Sequence, residues 1–219
     1  MPKHPALPID ADAAPAAPAP LPTRDRMVRT AARLFLARSY QSVGVNEICA
    51  EAQVQKGSFY HFFPSKSDLV IAVIDHHAAA MSELLDKHER AVRGPVNKIR
   101  AIAAAVNESQ QGLVKSFGRA VGCPLGNLAV ELATTEDAVG KHAAGVIARL
   151  EERVAGHCWD AAEVGLLADE VDPDELAHQV IATMEGMILL AKVSDSDVSA
   201  VPVAMNRAID SCLAKRPGV

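Results

Sequence analysis

The feature that most restricts the fold is the spacing of proline and glycine between stretches of helical periodicity. Between Pro22 and Pro64 the chain has room for three short helices, and beyond Ser67 the interruptions lie far enough apart for long ones. Apolar residues in these stretches recur three and four positions apart, which is typical of amphipathic helices. Runs of alternating polar and apolar residues are lacking, and aromatic residues make up only 4%. Strands are therefore not expected, and the sequence predicts an all-α protein.

Start and stop signals give the approximate bounds of each helix. Thr23 is a possible N-cap, and Pro64 ends the third short helix. Asp172-Pro173 places a capping carboxylate before a proline at the first helical position, which is a strong start signal. The predicted helices cover 23–39, 45–52, 56–62, 68–93, 96–117, 124–133, 135–159, 173–193 and 197–214.

Charge is distributed unevenly along the chain. The formal net charge is −5, yet residues 23–66 contain seven Arg and Lys against three acidic residues. An acidic chain with one basic segment does not suit a protein that coats nucleic acid, but it suits one that contacts DNA at one end. Residues 1–22 hold seven Pro and seven Ala without helical periodicity, and we expect a disordered tail there.

The four cysteines indicate a reducing compartment. Cys49, Cys123, Cys158 and Cys212 are widely separated and form no C-x-x-C pair, so a disulfide framework is not predicted. No apolar run is seen to approach the ~18 residues of a membrane span, and the N-terminus lacks the pattern of a signal peptide. We expect a cytoplasmic protein that does not associate with membranes.

The segment 45–69 combines packing residues with a polar face. Ile48, Ala52, Val54 and Phe59 are spaced to hold two helices across a tight turn. Gly57 lies inside the second of these helices, where it costs about 1 kcal/mol relative to Ala, so it suggests close approach of another surface. Polar side chains surround it, and such a face can enter the major groove of DNA.

This segment resembles the DNA-binding domain of the TetR/AcrR family of regulators, over about fifty residues. The family pattern I-A-x-x-A-x-V-x-x-G-x-x-Y-x-H-F-x-x-K-x-x-L is matched at Ile48, Ala52, Val54, Gly57, Tyr60, Lys66 and Leu69. The chain departs from it at Cys49, at Gln53 where a turn glycine is usual, and at Gly44 where a threonine is usual. The last departure puts one hydroxyl contact in doubt, and Ser42 is a partial replacement.

The resemblance implies roles for individual residues. The recognition helix begins near Gln55, and its first residues should meet bases and the nearby backbone. Aromatic and basic side chains that follow should reach phosphates, with core packing as the alternative for Tyr60 and a solvated surface for Lys66. The implied DNA contacts are Ser42, Gly44, Gln55, Lys56, Gly57, Ser58, Tyr60, His61 and Lys66.

The resemblance also implies two domains and a homodimer. Residues 23–69 would form the helix-turn-helix domain and residues 70–219 a helical domain for effector binding and dimerisation. One recognition helix buries little surface, and two-fold dimers read half-sites a helical turn apart. In the family the last two helices pair between subunits. The stripe Met184, Met187, Ile188 and Ala191 suits this pairing, or it is ordinary core.

The segment 122–133, together with 186–194, is similar to the N-ethylmaleimide-reductase repressor type within the family. That similarity places Cys123 at a sensing cysteine and Lys192 at a lysine near it. A helix N-terminus and an ammonium would both lower the pKa of the Cys123 thiol. The alternative is a small packing residue and a non-covalent apolar effector. Candidate lining residues are Leu113, Phe117, Leu128, Leu132, Trp159 and Met184.

Other chemistry is weakly supported. The histidines and cysteines show no metal-ligand spacing, so neither a metal nor a cofactor is predicted. A thiol-dependent enzyme using Cys123 with a base such as His142 is the alternative function. No phosphate loop or catalytic carboxylate pair supports it. We therefore predict a regulator, not an enzyme, that binds double-stranded operator DNA and a small-molecule effector.

Overall fold

The computed structural model describes residues 21–214. The tail predicted over 1–22 lies outside them, apart from Leu21 and Pro22. Within the described residues there are nine helices: α1 Thr23–Ala37, α2 Val45–Glu51, α3 Lys56–Phe62, α4 Lys66–Arg90, α5 Pro95–Phe117, α6 Pro124–Leu132, α7 Asp137–Glu163, α8 Pro173–Ser194 and α9 Ala200–Ser211. This part of the chain forms no sheet, only an isolated antiparallel bridge between Leu167 and Leu213. The all-α prediction is confirmed.

Capping residues explain where the helices begin. Helix α4 starts two residues earlier than predicted because Ser65 and Asp68 form a capping box, in which each side chain accepts a hydrogen bond from the other residue's backbone. The Asp172 carboxylate accepts from the amides of Asp174 and Glu175 and so starts α8 where the sequence predicts. The capping role expected for Thr23 is wrong, because the residue at the N-cap of α1 is Pro22.

Two hydrophobic cores share the long helix α4. The first holds α1, α2 and α3 against the N-terminal half of α4, and it also takes in residues of α6 and the start of α7. The second lies between the C-terminal half of α4 and helices α5, α7, α8 and α9. Leu69 and Ile74 belong to the first core and Leu85 to the second. The first core therefore extends beyond residue 69, and the predicted division into 23–69 and 70–219 stays a prediction.

Helix α8 is the one described helix that is long and apolar enough to cross a membrane by length and composition, contrary to the sequence-based expectation. Its packing accounts for this character. One side, including Met184, Ile188 and Ala191, is buried in the second core. The stripe considered for dimerisation is thus largely ordinary core. The exposed apolar side chains of α8 are Leu189, Leu190 and Val193.

Candidate nucleic-acid interface and ligand cavity

Helix α2 is attached to α1 by side chains of opposite charge. Arg33 pairs with Glu51 at 2.5 Å, and Arg38 pairs with Glu47. The Arg26 guanidinium also donates to the carbonyl oxygen of Ala52 at the end of α2. These contacts neutralise part of the basic charge of α1 and fix the position of the turn that leads into α3.

The turn between α2 and α3 depends on one residue in a left-handed conformation. Gln53 has φ +54°, and the Val54 amide donates to the Cys49 carbonyl oxygen to close the turn. A residue with a side chain pays about 1 kcal/mol or more for this conformation, which explains why a glycine is usual there. The turn keeps its shape despite the substitution.

Helix α3 turns one side inward and presents the other to solvent. Phe59 is fully buried in the first core, and it packs against Phe63 with ring centroids 5.8 Å apart. Tyr60 is 51% exposed, and core packing is therefore ruled out for it. The polar residues predicted from sequence are all exposed or partly exposed, and we call them the reading face: Gln55, Lys56, Gly57, Ser58, Tyr60 and His61.

The space around Gly57 is open. A Cβ built at this position would meet no other atom within 4 Å, so the fold itself does not require a glycine. Ser42 and Gly44, before α2, are exposed as well. The Ser42 hydroxyl bonds to the Ser39 hydroxyl and carbonyl oxygen, which holds it at the start of α2.

The ammonium of Lys66 contacts the loop after α1. Its Nζ donates to the Tyr40 carbonyl oxygen at 2.5 Å and lies 3.7 Å from the centroid of the Tyr40 ring. Burial lowers the pKa of Lys66, and the nearby Glu131 carboxylate offsets this in part. Lys66 therefore joins α4 to the loop after α1, and its predicted phosphate contact stays a prediction.

Glu131 is a residue that the sequence analysis missed. It lies on α6, and its two carboxylate oxygens accept hydrogen bonds from the backbone amides of Tyr40 and Gln41 at 3.0 and 2.9 Å. Glu131 and Lys66 thus both hold the loop between α1 and α2. No motif signals such a contact, because the partners are separated by some 90 positions in the chain.

A cavity of about 580 Å³ lies among α4, α5, α6, α7 and α8. Its wall is mostly apolar, with contributions from Met81, Leu84, Val106 and Ile188. This volume is in the usual range for small-molecule sites, which combine an apolar lining with few polar groups. The polar residues at its wall include His77, Gln110, Arg149, Arg153 and Glu185.

Some of the predicted lining residues reach this cavity. Leu113, Cys123 and Met184 form part of its wall. Leu128 and Lys192 instead line a second crevice, of about 540 Å³, which Cys123 also borders and which extends to Phe35 and Arg38 at the end of α1. That crevice lies where the first core meets α8.

Three predicted lining residues are corrected. Leu132, the last residue of α6, is fully buried in the first core. Trp159 is 49% exposed, and its indole nitrogen donates to Asp174 at 3.0 Å on the outer surface. Phe117, the last residue of α5, lies outside the wall of either cavity. Helical periodicity placed these residues on apolar faces of their helices. It did not show which other helices those faces would contact.

Cys123 is the N-cap of α6, as predicted, but it is not an activated thiol. Its sulfur accepts a hydrogen bond from the Gly126 amide at 3.3 Å, which favours the thiolate. Burial and the neighbouring Glu185 carboxylate outweigh this, and they raise the pKa of the thiol far above its usual range. The expected lowering of the pKa is therefore wrong.

Lys192 lies close to this cysteine but is directed elsewhere. Its ammonium donates to the Asn127 side-chain oxygen at 2.8 Å. A Cβ at Gly122 would lie 2.9 Å from the Lys192 chain and 2.7 Å from Asn127, and Gly122 also has φ +92°. Glycine is therefore required there for the lysine to cross the backbone and reach Asn127.

The residues considered for other chemistry are not brought together. His142 pairs with Asp75 at 2.7 Å, and it is not part of the cavity wall that contains Cys123. The base proposed for a thiol enzyme therefore does not face its nucleophile. Among residues 21–214 no group of three or more His, Cys, Asp or Glu side chains is arranged to hold a metal ion.

Comparison with known proteins covers most of the chain. Residues 28–73 match the family described as bacterial regulatory proteins, tetR family, and residues 95–207 match the tetracyclin repressor-like C-terminal domain. The transcriptional regulator AcuR of Cereibacter sphaeroides is 31% identical over 76% of this chain and 75% of its own length. The transcriptional repressor NemR of Escherichia coli is 31% identical over 80% and 86%.

The solved structures agree with these matches. The crystal structure of a regulatory protein TetR from Rhodobacter sphaeroides superimposes with a TM-score of 0.75 at 28% identity. The match covers 88% of this chain and 99% of that one. The similarity thus includes both the helices around α3 and those around the cavity.

Proposed function

Because this chain belongs to the TetR family of DNA-binding transcriptional regulators, we propose that it is a homodimeric repressor released from its operator by a small molecule. The observation that carries the proposal is the reading face, whose polar tips point away from their own subunit. The relative NemR carries the name of a repressor, which supports the direction of control. Such a regulator acts where the chromosome is, in the bacterial cytoplasm.

Different residues of the reading face are placed to contact bases and phosphates. Gln55, Lys56 and Ser58 lie at the N-terminal end of α3, which is the part of a recognition helix that contacts base edges. Tyr60 and His61 follow on the exposed side and are placed for phosphates. Ser42 and Gly44 flank the start of α2, where a backbone contact to the same duplex is expected.

Dimerisation is supported by the outer surface of α8 and α9. Leu189 and Leu190 are each 58% exposed, and Val193 is 75% exposed. Val203 of α9 adds a further exposed apolar side chain. Burial of such a surface against a second copy would stabilise a two-fold dimer and bring two reading faces to neighbouring half-sites.

Helix α6 supplies a route from the cavity to the DNA-binding helices. Its first residues, Cys123 to Leu125, form part of the cavity wall. Its far end bears Leu132, buried among the first core, and Glu131, bonded to the loop between α1 and α2. A ligand that displaces the start of α6 would shift this loop and change the spacing of the reading faces. The coupling needs only about 1–3 kcal/mol.

Non-covalent sensing is favoured over thiol chemistry. Only thiolates react rapidly with electrophiles, and burial beside Glu185 raises the pKa of the Cys123 thiol. We therefore expect operator complexes of the wild type and of Cys123→Ser to respond alike to hypochlorite. Dissociation of the wild type alone would show that Cys123 is the sensor.

A mobility-shift titration with genomic fragments flanking the gene tests the proposed function. The wild type should retain one fragment at low salt, and Gln55→Ala/Lys56→Ala should weaken that complex by about tenfold or more. Lys115→Ala removes an exposed lysine on α5 and serves as the control, with affinity unchanged. Retention of no fragment, or equal loss in both variants, would contradict the proposal.

A further inference from the structure

Gln110 is the one fully buried polar side chain among residues 21–214. It is 3% exposed, lies on α5 and forms part of the cavity wall. Its side-chain amide makes no hydrogen bond to any described residue. Its amide atoms are open to the cavity and are therefore available to a molecule bound there.

Apolar side chains flank Gln110 in the cavity wall. Val106 and Leu113, one turn before and after it on α5, line the same cavity. Met81 and Leu84 of α4 and Ile188 of α8 line it as well. A few hydrogen-bonding groups in a mostly apolar wall are the usual composition of a site that fixes the orientation of a small molecule.

The cavity offers little to balance a charge on a ligand. Arg153 is already paired with Asp86 and Glu89, and Arg149 is an exposed residue at the wall. Burial lowers the pKa of His77 to about 4 and raises that of Glu185, so burial opposes the charged form of each group. A ligand with a net charge in the interior of the cavity, away from the exposed Arg149, would lose its hydration without gaining a partner.

We propose that the cavity binds an uncharged, mostly apolar small molecule, and that the Gln110 amide donates a hydrogen bond to a carbonyl or hydroxyl oxygen of that molecule. The inference rests on the proposed function only in naming this ligand as the effector. The binding step itself needs no DNA. Gln110 thus selects a ligand with one oxygen at a defined place over a hydrocarbon of the same shape.

Two probes of nearly identical shape isolate this hydrogen bond. Benzophenone carries C=O where 1,1-diphenylethylene carries C=CH₂, and both are uncharged. Their affinities are measured without DNA, by displacement of N-phenyl-1-naphthylamine fluorescence from the full chain. In Gln110→Leu the ratio of the two dissociation constants should shift by about fivefold in favour of the hydrocarbon, as expected for one neutral hydrogen bond.

Gln111→Leu is the matched control. Gln111 is the next residue on α5 and is exposed, so its replacement should leave the ratio of the dissociation constants at the wild-type value.

The possible outcomes separate this inference from the proposed function. Failure of both probes to bind, or the same ratio in the wild type and Gln110→Leu, would overturn the role of Gln110. A shifted ratio together with operator binding that never responds to benzophenone would support the role of Gln110. It would count against this cavity as the effector site.

Discussion

The reading face of α3 and the cavity between α4 and α8 use polar side chains in opposite environments. Lys56 and Tyr60 are exposed and project into open space. Gln110 is buried in an apolar wall, and Cys123 faces a carboxylate there. A surface that meets a polyanion benefits from exposed donors, whereas a small-molecule cavity gains specificity from a few donors removed from water.

The surroundings of Gly57 and Gly126 differ in a similar way. A Cβ at Gly57 would meet nothing within 4 Å, so packing within the chain does not require a glycine there. A Cβ at Gly126 would lie 2.5 Å from a Glu185 oxygen, so the room beside it is already filled by the chain itself. We propose DNA as the partner of the first region, and the second is packed around its own polar groups.

The largest expected effect tests whether the His77 ring in the cavity wall is shielded from water. Burial and the neighbouring His76 lower the pKa of His77 to about 4, while the unfolded chain takes up a proton near its ordinary pKa of 6.5. The unfolded state therefore binds more protons between these values, and the free energy of unfolding falls as pH falls. We expect His77 to account for a loss of about 2 kcal/mol between pH 7 and pH 5.

Urea unfolding of the wild type and His77→Gln across this range measures the effect. The variant should lose less stability on acidification. Arg149, Arg153 and Glu185 line the same cavity and remain in both proteins, so the difference between the two slopes isolates His77. Parallel slopes would show that the His77 ring is not shielded from water.

The next effect concerns the junction between the two regions. Glu131→Ala removes the carboxylate that binds the amides of Tyr40 and Gln41, and partial exposure limits the expected loss of stability to about 1–2 kcal/mol. Amide hydrogen exchange of Tyr40 and Gln41 should accelerate in parallel. Glu163→Ala, an exposed glutamate at the end of α7, is the control and should change neither quantity. Unchanged exchange in Glu131→Ala would remove α6 as the connection between cavity and reading face.

The sequence located the reading face more accurately than the cavity, for a physical reason. Helix α3 was predicted over 56–62, as observed, because Pro64 and the turn before Gln55 bound it locally. Its exposed and buried positions follow from one helical period. Which residues of α3 face solvent can therefore be predicted without knowing where the other helices lie.

The cavity depends on how five helices are arranged, which no single period encodes. Trp159 and Leu132 are apolar residues of the right spacing, yet one faces solvent and the other the first core. Gln110 had a usable signal, since it is a glutamine between Val106 and Leu113 in an apolar stripe. Glu131 had none, because its partners are backbone amides of a distant loop.

A smaller effect separates folding from DNA binding at the reading face. Gly57→Ala should keep or raise stability by up to about 1 kcal/mol, because alanine is the better helix former and the added methyl is unobstructed. Operator affinity should fall by about tenfold if DNA approaches the backbone there, a change of roughly 1.4 kcal/mol. Gly156→Ala on the exposed side of α7, also unobstructed, should give the stability gain alone. Equal operator affinity of both variants would mean that Gly57 does not face DNA.

The smallest effect compares the two described non-glycine residues with positive φ, one before α3 and one after α8. Gln53 in the turn before α3 has φ +54°, and Asp195 after α8 has φ +46°. Aspartate visits this conformation more readily than glutamine because its short polar side chain bonds locally. Gln53→Gly should therefore stabilise the chain by up to about 1 kcal/mol, and Asp195→Gly by less, as measured by urea unfolding. A larger gain at Asp195 would show that the turn of the DNA-binding helices is the better adapted of the two, and that glutamine there carries no strain.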